Sequence, residues 1–300
     1  MIRRAVLSIL CAFFVLAPTC QQPSSRVTWL GTAGLFPSGA TFSNGTIVAT
    51  PEQWTKFWTG AKASGEQIGI HSPLVGVEGA MQGALQQGIP VVVVTDIPAD
   101  AASAAQDAEV SASLAQRYPS IRAWCVGNEV DNRSDLAQAS VWANTVLDAI
   151  EAARPEIITC TVFQYERSKG LSNAVSLWSL FHGDALGITT YPQAMMGYAN
   201  AGAVPSNHYS TLNTWATSLK KKTLVTEVGW SASNESDQNA WLQKFLQIGP
   251  QSAVLANWFS LYDFTGYPQA TFAKMGLYRG DGSARPIVAT WKQALAVPKS

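Results

Sequence analysis

Eight short apolar runs, several rich in β-branched residues, recur about every 33 residues along the chain, and stretches with helical periodicity separate them. Some of these runs, such as Val91–Val94, are apolar at every position, which is typical of parallel strands in a sheet covered by helices. The predicted strands are Val27–Gly31, Gln67–His71, Pro90–Asp96, Ile121–Asn128, Ile157–Phe163, Ala185–Tyr191, Lys222–Glu227 and Val254–Tyr262. Eight consecutive βα units predict a single-domain α/β fold, the (β/α)8 TIM barrel. A doubly wound open sheet is the alternative, although no Gly-x-Gly-x-x-Gly motif follows the first strand.

The helical stretches between the strands carry apolar residues on one face, which we interpret as core. Pro51 and Gly65 are expected to begin and end the first helix, because proline favours a first helical turn and glycine follows a last one. Three further apolar stripes at helical spacing are Trp142, Val146, Ile150 and Ala153; Leu212, Trp215 and Leu219; and Trp241, Leu242, Phe245 and Leu246.

Composition excludes several classes of protein. The chain has 300 residues with 20 basic and 20 acidic side chains, so it lacks the basic field of a nucleic-acid binder. Hydrophobic residues make up 47% and charged residues 13%, which is enough for a large core and excludes global disorder. No multi-histidine metal site is expected from three histidines without a His-Glu-x-x-His motif, and nothing predicts a cofactor.

Residues 1–20 have the pattern of a signal peptide, because Arg3 and Arg4 precede the apolar run Ala5–Leu16 and Pro18 follows it. This pattern predicts an exported protein that is secreted or located at the cell surface or in the periplasm. Cleavage before Cys20 would instead leave a lipoprotein with a lipid anchor on that residue, and a short membrane anchor is a third interpretation. The rest of the chain has no apolar run long enough to span a bilayer.

Two cysteines, Cys125 and Cys160, stay in the mature chain apart from Cys20, and each lies within an apolar predicted strand. Neighbouring parallel strands rarely suit a disulfide. We therefore expect two buried thiols and not a bridge, although export permits one.

Two glutamates follow apolar strands at the end of a barrel where catalytic groups are found. The fourth strand ends at Asn128 and Glu129, and the seventh ends at Glu227. A carboxylate beside apolar neighbours is costly, so each position requires a reason. The alternative is that each glutamate caps a helix or forms a salt bridge at the start of a loop. This explanation is less convincing for two glutamates on two strands than for one.

The motifs Gly127–Val130 and Thr226–Trp230 resemble those of the clan A glycoside hydrolases, and most closely the endo-β-1,3-glucanase family. The resemblance implies a (β/α)8 barrel and a retaining mechanism that uses two carboxyl groups about 5 Å apart. It implies that Glu129 is the general acid/base and Glu227 the nucleophile. By the same resemblance, Asn128 donates a hydrogen bond to the sugar 2-hydroxyl.

The resemblance also implies roles for aromatic residues at three strand ends. Tyr191, after the sixth strand, is expected to donate a hydrogen bond to the nucleophile. Trp258, in the eighth strand, is expected to form the floor under the reacting sugar, with Phe259 or Tyr262 as alternatives. Trp230 is a candidate second platform, because sugar C–H faces pack on aromatic rings, and core packing is its alternative.

Three positions depart from the clan pattern. His71 stands at the end of the second strand, where many members carry an arginine, and either replaces it or has no such role. Thr189 stands where the clan frequently has a histidine, two residues before Tyr191. Asp96, at the end of the third strand, either binds a sugar hydroxyl or caps a loop. These differences leave the sugar and the family open.

The sequence thus predicts that residues 21–300 form an exported retaining β-glycosidase. A transglycosidase that uses the same site is the alternative. We expect endo-action on a β-linked polysaccharide, with β-1,3-glucan, galactan, mannan or another cell-surface polysaccharide as substrate. The alternative from a different class is a barrel that binds glycan without cleaving it. The long segment between Tyr191 and His208 is expected to wall one side of the cleft.

Overall fold

Eight parallel strands close into a barrel in the computed structural model, which describes residues 27–43 and 46–297. In barrel order the strands are β1 (Trp29–Ala33), β4 (Ile68–His71), β5 (Val91–Thr95), β6 (Ile121–Val126), β7 (Ile158–Gln164), β8 (Ala185–Thr190), β9 (Lys222–Val228) and β10 (Ala253–Phe259), and β10 pairs with β1 to complete the ring. The predicted single-domain (β/α)8 barrel and its eight strands are confirmed. The predicted signal peptide and Cys20 lie outside the described residues.

Helices cover the outside of the barrel. They are α1 (Pro51–Ser64), α2 (Leu74–Gln86), α3 (Ala101–Arg117), α4 (Leu136–Ala153), α5 (Tyr165–Ser168), α6 (Ala174–Trp178), α7 (Pro192–Met196), α8 (Ser210–Leu219), α9 (Glu235–Ile248), α10 (Ala270–Ala273) and α11 (Ile287–Ala296). Within residues 27–43 and 46–297, no helix is both long enough and apolar enough to cross a membrane.

The ends of α1 follow the predicted signals. Thr50 caps the helix by accepting the Gln53 amide, the Gln53 side chain accepts the Thr50 amide in return, and Pro51 fills the first turn. Gly65 follows the last helical residue. The apolar stripe of α4 is shifted from the predicted one: Val146 and Ile150 are buried, but Trp142 is only half-buried.

A short hairpin that the sequence did not predict precedes α1. Its strands are β2 (Thr41–Ser43) and β3 (Thr46–Val48), which pair antiparallel and lie outside the barrel sheet. Each strand has only three residues, so neither has enough alternating positions to give a strand signal. The hairpin lies above the carboxyl end of β1, and this position matters for the site described below.

The barrel interior contains a disulfide bond between Cys125 and Cys160. The two residues are direct register partners on β6 and β7, and their Cα atoms are 4.5 Å apart. Paired residues on adjacent strands point to the same side, and this Cα separation is within the range that a disulfide bridges. The prediction of two free thiols was therefore wrong.

Candidate active site

A cleft of about 1000 Å³ opens at the carboxyl ends of the barrel strands. Its size is at the upper end of the range for ligand sites in proteins. Six of the predicted site residues line it: His71, Asp96, Asn128, Glu129, Tyr191 and Glu227. The closed barrel thus brings together side chains that are far apart in the sequence, such as His71 and Glu227, which are separated by 156 positions.

Glu129 reaches the cleft through an unusual backbone turn after β6. Gly127 and Glu129 both have positive φ, of 90° and 48°, and the second is in the left-handed region that side chains other than glycine rarely occupy. Thr189 donates a hydrogen bond of 2.6 Å to Glu129 Oε1, and Arg167 Nη2 lies 4.0 Å from Oε2. The strained turn and these two contacts fix the direction of the carboxyl group.

The pKa of Glu129 is raised, mainly because burial disfavours its charge. The hydrogen bond from Thr189 opposes this rise, whereas the negative charge of Glu227 adds to it. A carboxyl group with a raised pKa keeps its proton closer to neutral pH, as a general acid requires.

Glu227 lies within β9 and faces the same cleft. Tyr191, directly after β8, donates its hydroxyl to Glu227 Oε2 in a short hydrogen bond. Burial raises the pKa of Glu227, and the Tyr191 hydrogen bond and the charge of His71 counteract that rise. Burial thus raises the pKa of both carboxyl groups, but the charge of Glu227 adds to the rise at Glu129, whereas the charge of His71 opposes the rise at Glu227.

His71 and Asp96 form a pair beside the carboxyl groups, with Nε2 and Oδ1 3.6 Å apart. Burial alone would lower the pKa of His71, but the contact with Asp96 and the charges of Glu227 and Glu129 outweigh it, and the pKa is raised. The pKa of Asp96 is lowered by the same contact with His71. A positively charged His71 thus stabilises the ionised form of Glu227.

Asn128 presents an amide group to the cleft. Its Oδ1 atom is buried and accepts no hydrogen bond from any described residue. A buried oxygen without a partner costs free energy, and burial closes it to a ligand in this structure, so the N–H2 group is the part of the Asn128 amide that a ligand can meet.

The structure places neither predicted tryptophan platform in the cleft. Trp258 is fully buried, donates its indole N–H to the Met275 carbonyl and packs near Trp291 of α11. Trp230 is also fully buried, with its ring 5.5 Å from that of Trp241. Side chains alternate along a strand, so the residue that faces the cleft from β10 is the next one, Phe259.

The walls of the cleft come from segments other than the expected one. Phe42 and Ile47 of the hairpin and Tyr267 and Phe272 from the segment after β10 line it. Residues 192–208 are all described and none lines the cleft, so the expectation that this segment forms a wall was wrong. That segment folds outward instead, where Lys244 of α9 donates to the carbonyl of its residue Ala201.

No protein-family model and no curated protein sequence matches the chain. Among solved structures, a β-D-glucuronidase of Dictyoglomus thermophilum is similar over 93% of this chain and 54% of its own, with a TM-score of 0.68 and 13% identity. A family 39 glycoside hydrolase of Bacteroides cellulosilyticus WH2 covers 92% of this chain and 65% of its own, with a TM-score of 0.64 and 16% identity. A GH5_18 protein of Streptomyces cattleya, solved with GlcNAc, covers 91% and 80%, with a TM-score of 0.69 and 14% identity.

These similar structures are glycoside hydrolases, and this chain spans about half the length of the first of them. At such identities the likeness shows a shared barrel fold. The more specific resemblance to the endo-β-1,3-glucanase family is not confirmed and stays a prediction.

Sequence reasoning named Tyr191 as the donor to Glu227, which the structure shows, but it missed other groups around the two carboxylates. Thr189 attracted notice only as a departure from a pattern, yet it donates to Glu129. Arg167 lies near Glu129 and binds Asp131 at 3.2 Å. Glu166, its neighbour, is buried beside β8. Glu166 and Arg167 both follow the end of a predicted strand, and this position is the one signal in the sequence that would have identified them.

Proposed function

We propose that this chain is a retaining β-glycosidase. The observation that carries the proposal is that Glu129 and Glu227 face one cleft at the carboxyl end of the barrel, where Tyr191 and His71 oppose the rise in the pKa of Glu227 and the charge of Glu227 adds to the rise in that of Glu129. Retaining hydrolysis requires one ionised carboxylate as nucleophile and one protonated carboxyl group as acid. The fold shared with glycoside hydrolases supports the proposal.

The reaction follows from this geometry in two steps. The Glu227 carboxylate attacks the anomeric carbon while the bond to the leaving oxygen breaks, and Glu129 donates its proton to that oxygen. The glycosyl ester on Glu227 is then hydrolysed by water, which gives a proton to Glu129 as its oxygen bonds to the anomeric carbon and the ester bond breaks. Tyr191 stabilises the ionised nucleophile, and the N–H2 group of Asn128, which lines the cleft, is placed to donate to a sugar hydroxyl.

The charge of the cleft supports a neutral glycan as substrate. Among the described residues that line it, Asp96, Glu129 and Glu227 are acidic, His71 is the one basic group, and none is lysine or arginine. A uronic acid would bring a further carboxylate to this site without a dedicated cation, which is unfavourable. Although β-glucuronidases share the fold, this cleft favours uncharged sugars.

The length of the cleft supports endo-action on several linked sugars. It extends from the carboxylates past His71 to Trp54 and Trp58 of α1 and to Gly79 of α2. The two indole rings lie 6.1 Å apart and are inclined by only 22°. Such rings suit the apolar faces of sugars bound away from the reacting unit. A cleft with this extension accommodates the interior of a chain.

The test is to incubate the mature protein with a panel of neutral β-glycans and matched uronides and to measure new reducing ends. Glu227→Gln is the inactive control, because it keeps the shape of the side chain and loses the nucleophile. NMR of the first product distinguishes retention from inversion, and longer products formed in the presence of acceptor sugars would reveal transglycosylation. Binding without new reducing ends in the unaltered protein would reject the glycosidase and favour the glycan-binding barrel.

A further inference from the structure

One strand end holds both carboxyl groups of the site. Thr189 donates to Glu129, and Tyr191, two residues later, donates to Glu227. Residues two apart in a strand point to the same side, so both side chains lie on the side of the strand where the two carboxyl groups are. Thr190, between them, points to the opposite side, away from the cleft. Any displacement of this strand end therefore moves both donors.

Glu166 lies behind that strand end and is 5% exposed. Its Oε1 atom accepts from Thr190 Oγ1 at 2.6 Å and from His208 Nε2 at 3.1 Å. Its Oε2 atom accepts from the Tyr191 amide at 3.1 Å and from Gln164 Nε2 at 2.5 Å. All four donors are buried, so Glu166 has no access to substrate.

The bond to the Tyr191 amide replaces a missing strand partner. The pairing of β7 with β8 ends at Gln164 and Thr189, because β7 turns into α5 at that point. Tyr191 follows the last residue of β8, and its amide finds a side-chain carboxylate where a neighbouring strand would have supplied a carbonyl. The orientation of Tyr191 thus depends on Glu166.

We propose that Glu166 is a positioning residue that anchors Thr190 and the Tyr191 amide and thereby keeps the Tyr191 hydroxyl on Glu227. Glu166 does not react with substrate in this proposal. It acts from behind the strand, through the backbone of the residue that binds the nucleophile. Its effect should consequently appear in the titration of Glu227 and should vanish when the Tyr191 hydroxyl is removed.

The groups that face Glu227 come from four strand ends and must be held constant in a test. They are Tyr191 after β8, His71 of β4, Glu129 after β6 and Tyr267 after β10. The variants below alter Tyr191 and the groups behind it and leave the other three unchanged.

The experiment follows the Glu227 carboxyl carbon by NMR in protein labelled with ¹³C-glutamate, with the signal assigned from its loss in Glu227→Gln. Glu166→Gln removes one acceptor oxygen, and Thr190→Val removes the strand hydroxyl while keeping the side-chain shape. Asp184→Asn is the matched control, because Asp184 accepts from Thr159 just before the start of β8, at the other end of the strand. Thr190→Val keeps the test decisive if Glu166→Gln folds poorly.

We expect the pKa of Glu227 to rise by about one unit in Glu166→Gln and Thr190→Val, because a hydrogen bond to the ionised form is weakened. Asp184→Asn should leave it unchanged. In a Tyr191→Phe background, Glu166→Gln should cause no further rise. The proposal is overturned if Glu227 titrates identically in folded Glu166→Gln and Thr190→Val, or if Asp184→Asn shifts it equally.

A kinetic measurement complements the titration and rests on the proposed function. The acidic limb of kcat/KM on a β-glycoside should move to higher pH in Glu166→Gln by the same amount as the NMR titration. If the unaltered protein cleaves no glycoside, the proposed function fails, whereas the NMR titration still decides the role of Glu166.

Discussion

Glu129 and Glu227 are the same side chain in different surroundings, and this difference predicts distinct phenotypes. Glu227→Gly should abolish hydrolysis, and azide or formate should restore turnover with an inverted product, because a small anion replaces the missing nucleophile. Glu129→Ala should slow substrates with poor leaving groups by about 10²–10⁴-fold and activated aryl glycosides far less, since only the former require protonation. Product stereochemistry and leaving-group dependence are the measurements. The opposite pattern in the two variants would reverse the assignment.

The positive φ of Glu129 predicts a measurable cost in stability. Glu129→Ala and Glu129→Gly both remove the buried carboxyl group, but only glycine relieves the left-handed backbone at φ 48°. We expect Glu129→Gly to have a free energy of unfolding about 1 kcal/mol higher than Glu129→Ala. Denaturant unfolding of the two variants checks this. Equal stabilities, or a more stable alanine variant, would show that the turn carries no strain.

His71 predicts a pH effect with a definite sign. Its positive charge lowers the pKa of Glu227, so His71→Asn should raise that pKa and move the acidic limb of kcat/KM to higher pH by about half a unit. Asp96→Asn should act in the same direction but less strongly, because it lowers the pKa of His71 and leaves the imidazole in place. A pH profile of each variant is the measurement, and a shift of the acidic limb to lower pH would contradict the argument.

Individual residues were predictable where a strand end or a motif identified them, and not where the orientation of a side chain decided the matter. Glu129 and Glu227 stand at the carboxyl ends of their strands, so the topology alone brings them to the same rim of the barrel. Trp258 and Phe259 lie in a run that is apolar on both faces, and the sequence contains no signal for which of the two points inward. Trp230 had the same ambiguity, and only the structure shows that it packs on Trp241.

At the scale of elements, the helix α2 supplies a position that tests the extended cleft. Gly79 faces open space in the cleft, so a larger side chain fits there without a clash and occupies the volume. Gly79→Leu should reduce activity on long glycans by roughly 10-fold, as expected for the loss of one to two kcal/mol of binding. Activity on a small aryl glycoside should be unchanged.

Gln82→Leu is the matched control for this variant, because Gln82 is exposed on the same helix and does not line the cleft. Kinetics on both substrate lengths is the measurement. Equal loss on the long and short substrates would show that Gly79 affects the fold and not a remote sugar site.

The barrel strands were predictable as elements because their apolar runs recur with the period of a βα unit. The hairpin and the segment after β10 were not, because neither has a repeating pattern. These two excursions form the walls of the cleft, whereas segment 192–208, which the sequence favoured for that role, packs against α9.

At the scale of the whole molecule, the disulfide links neighbouring strands inside the barrel. It closes a loop with a sequence separation of 35 residues, for which the chain-entropy model gives about 4 kcal/mol. We expect Cys125→Ala combined with Cys160→Ala to lower the free energy of unfolding by this order, measured with guanidinium chloride. The single variant Cys125→Ala should lose nearly as much, because either change breaks the link. If Cys125→Ala lowered the free energy of unfolding only slightly and the double variant lowered it strongly, the effect would come from packing of the sulfur atoms and not from the link.

The disulfide was not predictable from the sequence, because strand register is a tertiary property. Cys125 and Cys160 lie in runs that could pair in several registers, and only one places them directly opposite each other. A disulfide accords with an oxidising compartment, so it supports the export predicted from residues 1–20, which itself stays a prediction.

The walls of the cleft and its carboxyl groups belong to separate parts of the chain. Phe42 and Tyr267 stand on excursions outside the barrel ladder, whereas the donors to Glu129 and Glu227 in the described structure are Thr189 on β8 and Tyr191 directly after it. Under the proposed function, a change in the hairpin can alter which sugar is bound and leave the donors to the two carboxyl groups in place. The hairpin therefore gives protein engineers a short segment into which a new specificity can be grafted, whereas the segment after β10 is coupled to the carboxyl groups, because Tyr267 faces Glu227 and Phe272 packs on Tyr191.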